Sequence, residues 1–251
     1  MPSFKEKIEK ISIDRDTDIV LALDFPFSET GKSNLVAKAE AVLEAAQPYI
    51  CAVKINHHLV LPLGVFGCVQ KLIKKLNSKG LLTIMDCKIN DIGATNQTMA
   101  EYYYAAGFDA LIANPFVGWE EGLQPVFEVA RRYDRGVILL SYMSHKGAIE
   151  GYGQTIVDSE TGTKIPQYIS FARKALKWQA DGVVIGATVP EKIREINEVL
   201  QGKVPIYSPG VGAQGGHGEK ARKAGARYLI VGREITMADD PGATAKRISS
   251  A

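Results

Sequence analysis

The chain has 251 residues, of which 46% are hydrophobic and 23% charged; these ordinary globular proportions support a large buried core at a length typical of one α/β barrel. With 30 Lys and Arg against 28 Asp and Glu, scattered without a long run, the net charge of +2 argues against nucleic acid or a membrane surface as a partner. Three cysteines, Cys51, Cys68 and Cys87, without CxxC spacing, argue against a full disulfide framework and point to reduced thiols in a cytoplasmic protein.

Residues 1–16 carry no apolar stretch of the secretory kind. Phe4, Ile8 and Ile11 fall at helical spacing, which predicts a short helical extension packed on the body. Strands are expected at 19–23, 51–55, 81–85, 110–113, 136–140, 182–185, 205–207 and 228–231, each a short apolar run. Helical faces follow between them. Leu35, Val36, Ala39, Val42, Leu43 and Ala46 form one, and Val65, Phe66, Val69, Leu72, Ile73 and Leu76 another. Pro166 reads as a helix-start proline before Ala172, Ala175, Leu176 and Gln179. No stretch approaches the roughly 18 apolar residues of a transmembrane helix.

Eight strands, each followed by a helix, require parallel pairing through right-handed crossovers. Runs that are apolar throughout suit strands covered by helices. The expectation is a single-domain (β/α)8 TIM barrel over residues 1–251. An open doubly wound sheet would want a glycine fingerprint after the first strand, and LDFPFSETG is not one. The connection 144–166 is long and rich in Gly, Ser and Thr. It is expected to be a loop over the barrel mouth, either a lid or a tolerated insertion.

The chemistry-bearing residues cluster at strand ends. IMDCKINDIGATN places Asp86, Lys88 and Asp91 at the end of the third strand. Side chains two apart on a strand share a face, so Asp86 and Lys88 should look into the barrel mouth and Cys87 toward the helices. Lys54 ends the second strand and Asp24 the first. A salt-bridge network closing the barrel is a weak account of all five, because buried ion pairs are a poor source of stability. Carboxylates around a lysine favour its ammonium form. Lys88 then reads as a proton donor and not as a Schiff-base nucleophile, which suits a reaction that loses CO2 and protonates carbon.

Glycine-rich turns follow the last three strands, as IGAT, SPGVGAQGG and VGREI. The turns after strands seven and eight are the usual phosphate site of a barrel. Gly210, Gly212, Gly215, Gly216 and Gly232 would let backbone N–H groups approach an anion. Arg233 would add a forked charge-assisted contact, and Gln214 a neutral donor.

The stretch DCKINDI resembles the D-x-K-x-x-D-I/V signature of the orotidine 5′-phosphate decarboxylase family. LALD, AVKIN, NPFVGWEEGL, MSHKG, SPGVGAQGG and IVGREI occur in that family's order, over roughly residues 19–235. The resemblance implies decarboxylation of orotidine 5′-monophosphate to UMP, with neither metal nor organic cofactor, by a homodimer. It implies that Lys88 protonates C6, that Asp86 lies beside the substrate carboxylate, and that Asp91 arrives from the neighbouring subunit to complete an array with Lys54, Asp86 and Lys88. It implies further that Asp24 and Lys54 bind ribose hydroxyls and that Thr95 of the neighbouring subunit meets the ribose. Ser144 would contact the pyrimidine edge, Gln214, Gly232 and Arg233 would hold the phosphate, and Ile92 and Pro209 would line the pocket. One departure is Lys146, where the family commonly has proline, which changes the stiffness and charge of that loop. His57, His58 and His217 read as loop or surface residues, and His145 as a support for its loop. Two other functions remain open. A magnesium-dependent sugar-phosphate decarboxylase of the same barrel family needs an acid near Lys54, and a non-catalytic phosphate-binding barrel has no use for a lysine between acids.

Overall fold

Ser3 and Glu6 have the spacing of a capping box, and both halves form. Glu6 N–H donates to Ser3 Oγ at 3.3 Å, and Ser3 N–H donates to Glu6 Oε2 at 2.7 Å. The box starts a helix at Phe4–Asp14, which buries Phe4 and Ile8. The computed structural model describes residues 2–25, 31–159, 161–212 and 214–250. Residues 26–30 of the turn after the first strand, Glu160 of the long connection and Ala213 of the glycine-rich turn lie outside the described residues.

The strands are β1 (Ile19–Ala22), β2 (Ala52–Asn56), β3 (Leu82–Ile89), β4 (Ala110–Ala113), β5 (Gly136–Tyr142), β6 (Thr155–Val157), β7 (Lys164–Pro166), β8 (Gly182–Ile185), β9 (Ile206–Pro209) and β10 (Tyr228–Val231). Eight of them close a parallel barrel in the order β1-β10-β9-β8-β5-β4-β3-β2. This is the expected (β/α)8 architecture. Period-2 alternation sorts the side chains. Val20, Ala22, Ile84, Ile138 and Ile230 fill the barrel, while Ile19, Leu21, Val53, Met85 and Leu229 pack outward under the helices. Both sets are apolar because both faces are buried.

The N-terminal helix does more than pack on the body, because Phe4 and Ile8 join the inward set and plug the barrel floor. Tyr207 and Tyr228 stack beside them with ring centroids 4.8 Å apart. Two glycines make room. A Cβ on Gly136 would lie 2.5 Å from Phe4 Cβ, and one on Gly182 would lie 2.3 Å from Tyr207 Cε2.

Three expectations need correction. The helix foreseen around 65–76 is broken into His57–Leu63, a wide turn at Gly64–Val69 and Gln70–Ser78, with a kink at Gly67. The kink turns Phe66 outward, leaving it 53% exposed. The connection 144–166 is not all loop. It holds a helical turn at Ala148–Gly151 and an antiparallel hairpin of β6 and β7. Pro166 ends that hairpin and caps the helix Gln167–Lys177. β3 runs on to Ile89 and so contains Asp86 and Lys88 instead of ending before them. Among the described residues no helix is long and apolar enough to cross a membrane.

Candidate active site

The β3 extension shapes the site. β3 takes four steps from Met85 to Ile89 while β4 takes two from Leu111 to Ala113. The excess of two residues is a bulge, and an even excess preserves the inward–outward parity. Asp86 and Lys88 therefore both face the barrel mouth, and Cys87 packs toward the helices. The bulge sets Lys88 at φ +48°. That left-handed conformation costs a non-glycine residue about 1–3 kcal/mol and is a mark of functional sites.

Asp86, Lys88, Lys54 and Asp24 line a cavity of about 300 Å³ at the C-terminal end of the barrel. The ammonium of Lys54 lies 3.5 Å from Asp24 Oδ1 and 2.6 Å from Asp86 Oδ2, and Lys88 Nζ lies 2.5 Å from Asp86 Oδ1. The result is a continuous chain of alternating charge, Asp24–Lys54–Asp86–Lys88. Its inner members are deeply set: Lys54 is 4% exposed and Asp86 8%. Burial pushes the Asp86 carboxyl up, but Lys54 and Lys88 together outweigh burial and hold it down to about 2. Burial pulls the Lys54 ammonium down, and Asp86 and Asp24 overcome it, leaving Lys54 raised. Both groups are charged near neutral pH.

Two polar residues escaped the sequence reading. Asn56 follows Ala52 and Lys54 on the inward face of β2, so extending the same alternation by one step would have found it. Its Nδ2 donates to Asp24 Oδ1 at 2.8 Å, and its Oδ1 accepts the His58 N–H at 2.8 Å, capping His57–Leu63. His58 is exposed, as expected, and also lines the cavity. Nothing in its spacing announces this, because the turn at Asn56 sets its direction.

The opposite wall is the glycine-rich side. The turn after β9 holds Gly210, Gly212 and Gly215 at φ of +94°, +71° and +83°, a region costly for any side chain with a Cβ. At Gly212 a Cβ would also fall 1.4 Å from Glu234 Oε2. Pro209, Ser144, Gln214, Gly232 and Arg233 all line the cavity. Ser144 Oγ donates to Gln214 Oε1 at 2.6 Å, linking the loop after β5 to this turn. Among the described residues no carboxylate pairs with Arg233, so its guanidinium is available to an anion. Ile112, Leu140, Met143, Val184 and Ile230 form an apolar base beneath the charges.

Asp91, Ile92 and Thr95 stand apart. All three are exposed, Ile92 at 69%, and none lines the cavity of its own chain. They sit where β3 passes into the helix Gly93–Ala105.

A closed parallel barrel with an ammonium–carboxylate chain at one wall of its mouth and a glycine-rich turn beside Arg233 at the other defines an enzyme of the (β/α)8 class. Residues 17–248 match the family described as orotidine 5′-phosphate decarboxylase / HUMPS. The chain is 36% identical over 230 residues to orotidine 5′-phosphate decarboxylase of Pyrococcus furiosus, covering 92% of this chain and 95% of that one. Against the Methanosarcina acetivorans protein of the same name, identity is 32% over 237 residues, covering 94% and 95%. The crystal structure of the Methanocaldococcus jannaschii orotidine 5′-monophosphate decarboxylase with the inhibitor BMP superposes with a TM-score of 0.78 at 30% identity, covering 93% of this chain and 97% of that one. The chain belongs to the orotidine 5′-phosphate decarboxylase / HUMPS family.

Proposed function

We propose that the chain decarboxylates orotidine 5′-monophosphate to UMP and CO2, closing UMP synthesis in the cytoplasm, with neither metal nor organic cofactor. The observation that carries this reading is the Asp24–Lys54–Asp86–Lys88 chain facing Arg233 and Gln214 across one cavity. It offers a proton donor at one end of a nucleotide and a phosphate anchor at the other.

In this scheme Arg233, Gln214 and the Gly232 turn hold the phosphate, Asp24 and Lys54 bind ribose hydroxyls, and Ser144 meets the pyrimidine edge beside Pro209. The substrate carboxylate lies against Asp86, whose charge two ammonium groups maintain. The bond from C6 to the carboxylate breaks, its electron pair stays on C6, and CO2 leaves. The Lys88 ammonium gives its proton to C6 and regains one from solvent. A positioned general acid contributes about 10²–10⁴-fold. The larger share comes from the Lys88 charge beside the developing carbanion and from phosphate and ribose binding energy realised in the transition state.

The scheme includes a homodimer in which Asp91 and Thr95 of a second copy enter the cavity, with Ile92 at its edge. In support, all three are exposed, and Phe66 and Tyr102 leave an apolar pair on the same side, their rings 6.0 Å apart. Lys54, seated between Asp24 and Asp86, weighs against a magnesium site, because its ammonium would repel a cation there.

The test is a metal-free ultraviolet assay of orotidine 5′-monophosphate loss, on wild type and Lys88→Ala. Turnover insensitive to EDTA is expected in the wild type and collapse in the variant. A folded wild type with no turnover overturns the proposal, and loss of activity on chelation redirects it to sugar phosphates.

A further inference from the structure

Asn96 is fully buried in the first turns of the helix Gly93–Ala105. Asparagine is a poor choice for a helix interior, and a buried amide is costly unless its polar atoms are bonded. Here they are bonded, and to one purpose. Asn96 Oδ1 accepts the Asp91 N–H at 3.0 Å, while Nδ2 donates to the Asp91 carbonyl and, at 2.9 Å, to the Gly122 carbonyl. One side chain thus grips both backbone polar groups of Asp91 and ties them to the loop after β4. The Asn96 N–H also donates to the Ile92 carbonyl at 2.9 Å.

The second loop is shaped to receive the first. Gly118 and Glu121 sit at φ of +82° and +51°. Glu121 comes so near the helix start that a Cβ on Gly93 would lie 2.9 Å from its carbonyl oxygen. The two loops therefore form one ledge, on which the Asp91 carboxylate is exposed, its Oδ1 accepting the Ile92 N–H at 2.7 Å. An apolar residue at position 96 would fill the same space and serve the helix better. The amide is explained by what it holds.

We propose that Asn96 is a positioning residue, which fixes the Asp91 backbone so that its carboxylate meets the Lys88 ammonium of a second copy in register. The proposal rests on the decarboxylase scheme above for the role of Asp91. The grip on the loop can be tested without it.

Hydrogen–deuterium exchange on the full chain compares wild type, Asn96→Ala and Asn96→Asp. In Asn96→Ala the amides of 90–93 should exchange at least about 10-fold faster while those of 102–105 keep their protection. Asn96→Asp retains an acceptor for the Asp91 N–H and should fall between, and it serves if the alanine variant does not fold. In the ultraviolet assay Asn96→Ala should lower kcat by up to about 100-fold, the effect of a displacement near 1 Å, and leave KM close to wild type. In an Asp91→Ala background it should lower kcat no further, because a residue acting through Asp91 is not additive with its loss. Unchanged exchange at 90–93, or a kcat loss that multiplies in full with that of Asp91→Ala, overturns the proposal. Equal turnover in wild type and Asp91→Ala would instead remove the role given to Asp91, while exchange would still decide whether Asn96 holds the loop.

Discussion

Lys54→Met is the sharpest probe of the charged wall, since methionine keeps most of the side-chain volume and removes the ammonium. At an effective dielectric constant of about 20, charges 2.6 Å and 3.5 Å apart attract by about 6 and about 5 kcal/mol. Desolvation of the ions cancels much of this, at several kcal/mol each. What the substitution exposes is the asymmetry: Asp86 stays buried with Lys88 alone as its counter-ion. Breaking a buried pair from one side typically costs about 3–5 kcal/mol, and that loss is expected in guanidinium unfolding at pH 7 with an unchanged slope. The acid limb should move as well. Asp86 is held down to about 2 in the folded chain, below an unfolded value of about 4. Its stabilisation is complete above about 4 and is lost as pH falls from there toward 2. Without Lys54, burial is opposed by Lys88 alone and the folded-state carboxyl rises toward its unfolded value, so the acid-dependent loss becomes smaller and is complete at a higher pH. A drop below about 1 kcal/mol with an unmoved acid limb would refute this account of the wall.

Gly212→Ala should raise KM for the nucleotide by at least about 10-fold, the worth of one charge-assisted contact of about 1.5 kcal/mol. Its Cβ collides with Glu234 and its φ is +71°; steady-state kinetics check this, and an unchanged KM speaks against the turn as the phosphate anchor. Gly136→Ala should lower unfolding free energy by about 1–3 kcal/mol through overpacking, because its Cβ meets Phe4. It should leave kcat untouched, as calorimetry and the ultraviolet assay would show together.

The barrel was legible because its strands are buried on both faces, and eight apolar runs separated by helical faces admit few other closures. The charged wall was legible for a related reason: Lys54, Asp86 and Lys88 are polar residues at the ends of apolar runs, where period-2 alternation assigns them a direction. The bulge that twists Lys88 was not. An excess of two residues leaves the parity intact, so the pattern of 84–89 reads the same with it or without it. Phe66 was misplaced because apolar spacing cannot register a kink at Gly67. The β6–β7 hairpin hid in a polar stretch, since a two-stranded ribbon lying outside the barrel needs few apolar residues. Asn56 needed only the inward alternation of β2 carried one step past Lys54, whereas His58 depends on where that strand stops and the cap begins, the least legible feature of any sequence.

β1 pairs with β10 to close the barrel, and a Cβ on Gly232 would lie 3.5 Å from Asp24 Oδ2. The cavity therefore straddles the seam where the two ends of the chain meet. During synthesis the reactive charges emerge by residue 88, but their wall has no opposite side until Arg233 has been added. A chain that stops short of β10 carries one wall of the cavity without the other. Closure of the barrel and assembly of the cavity are thus one event.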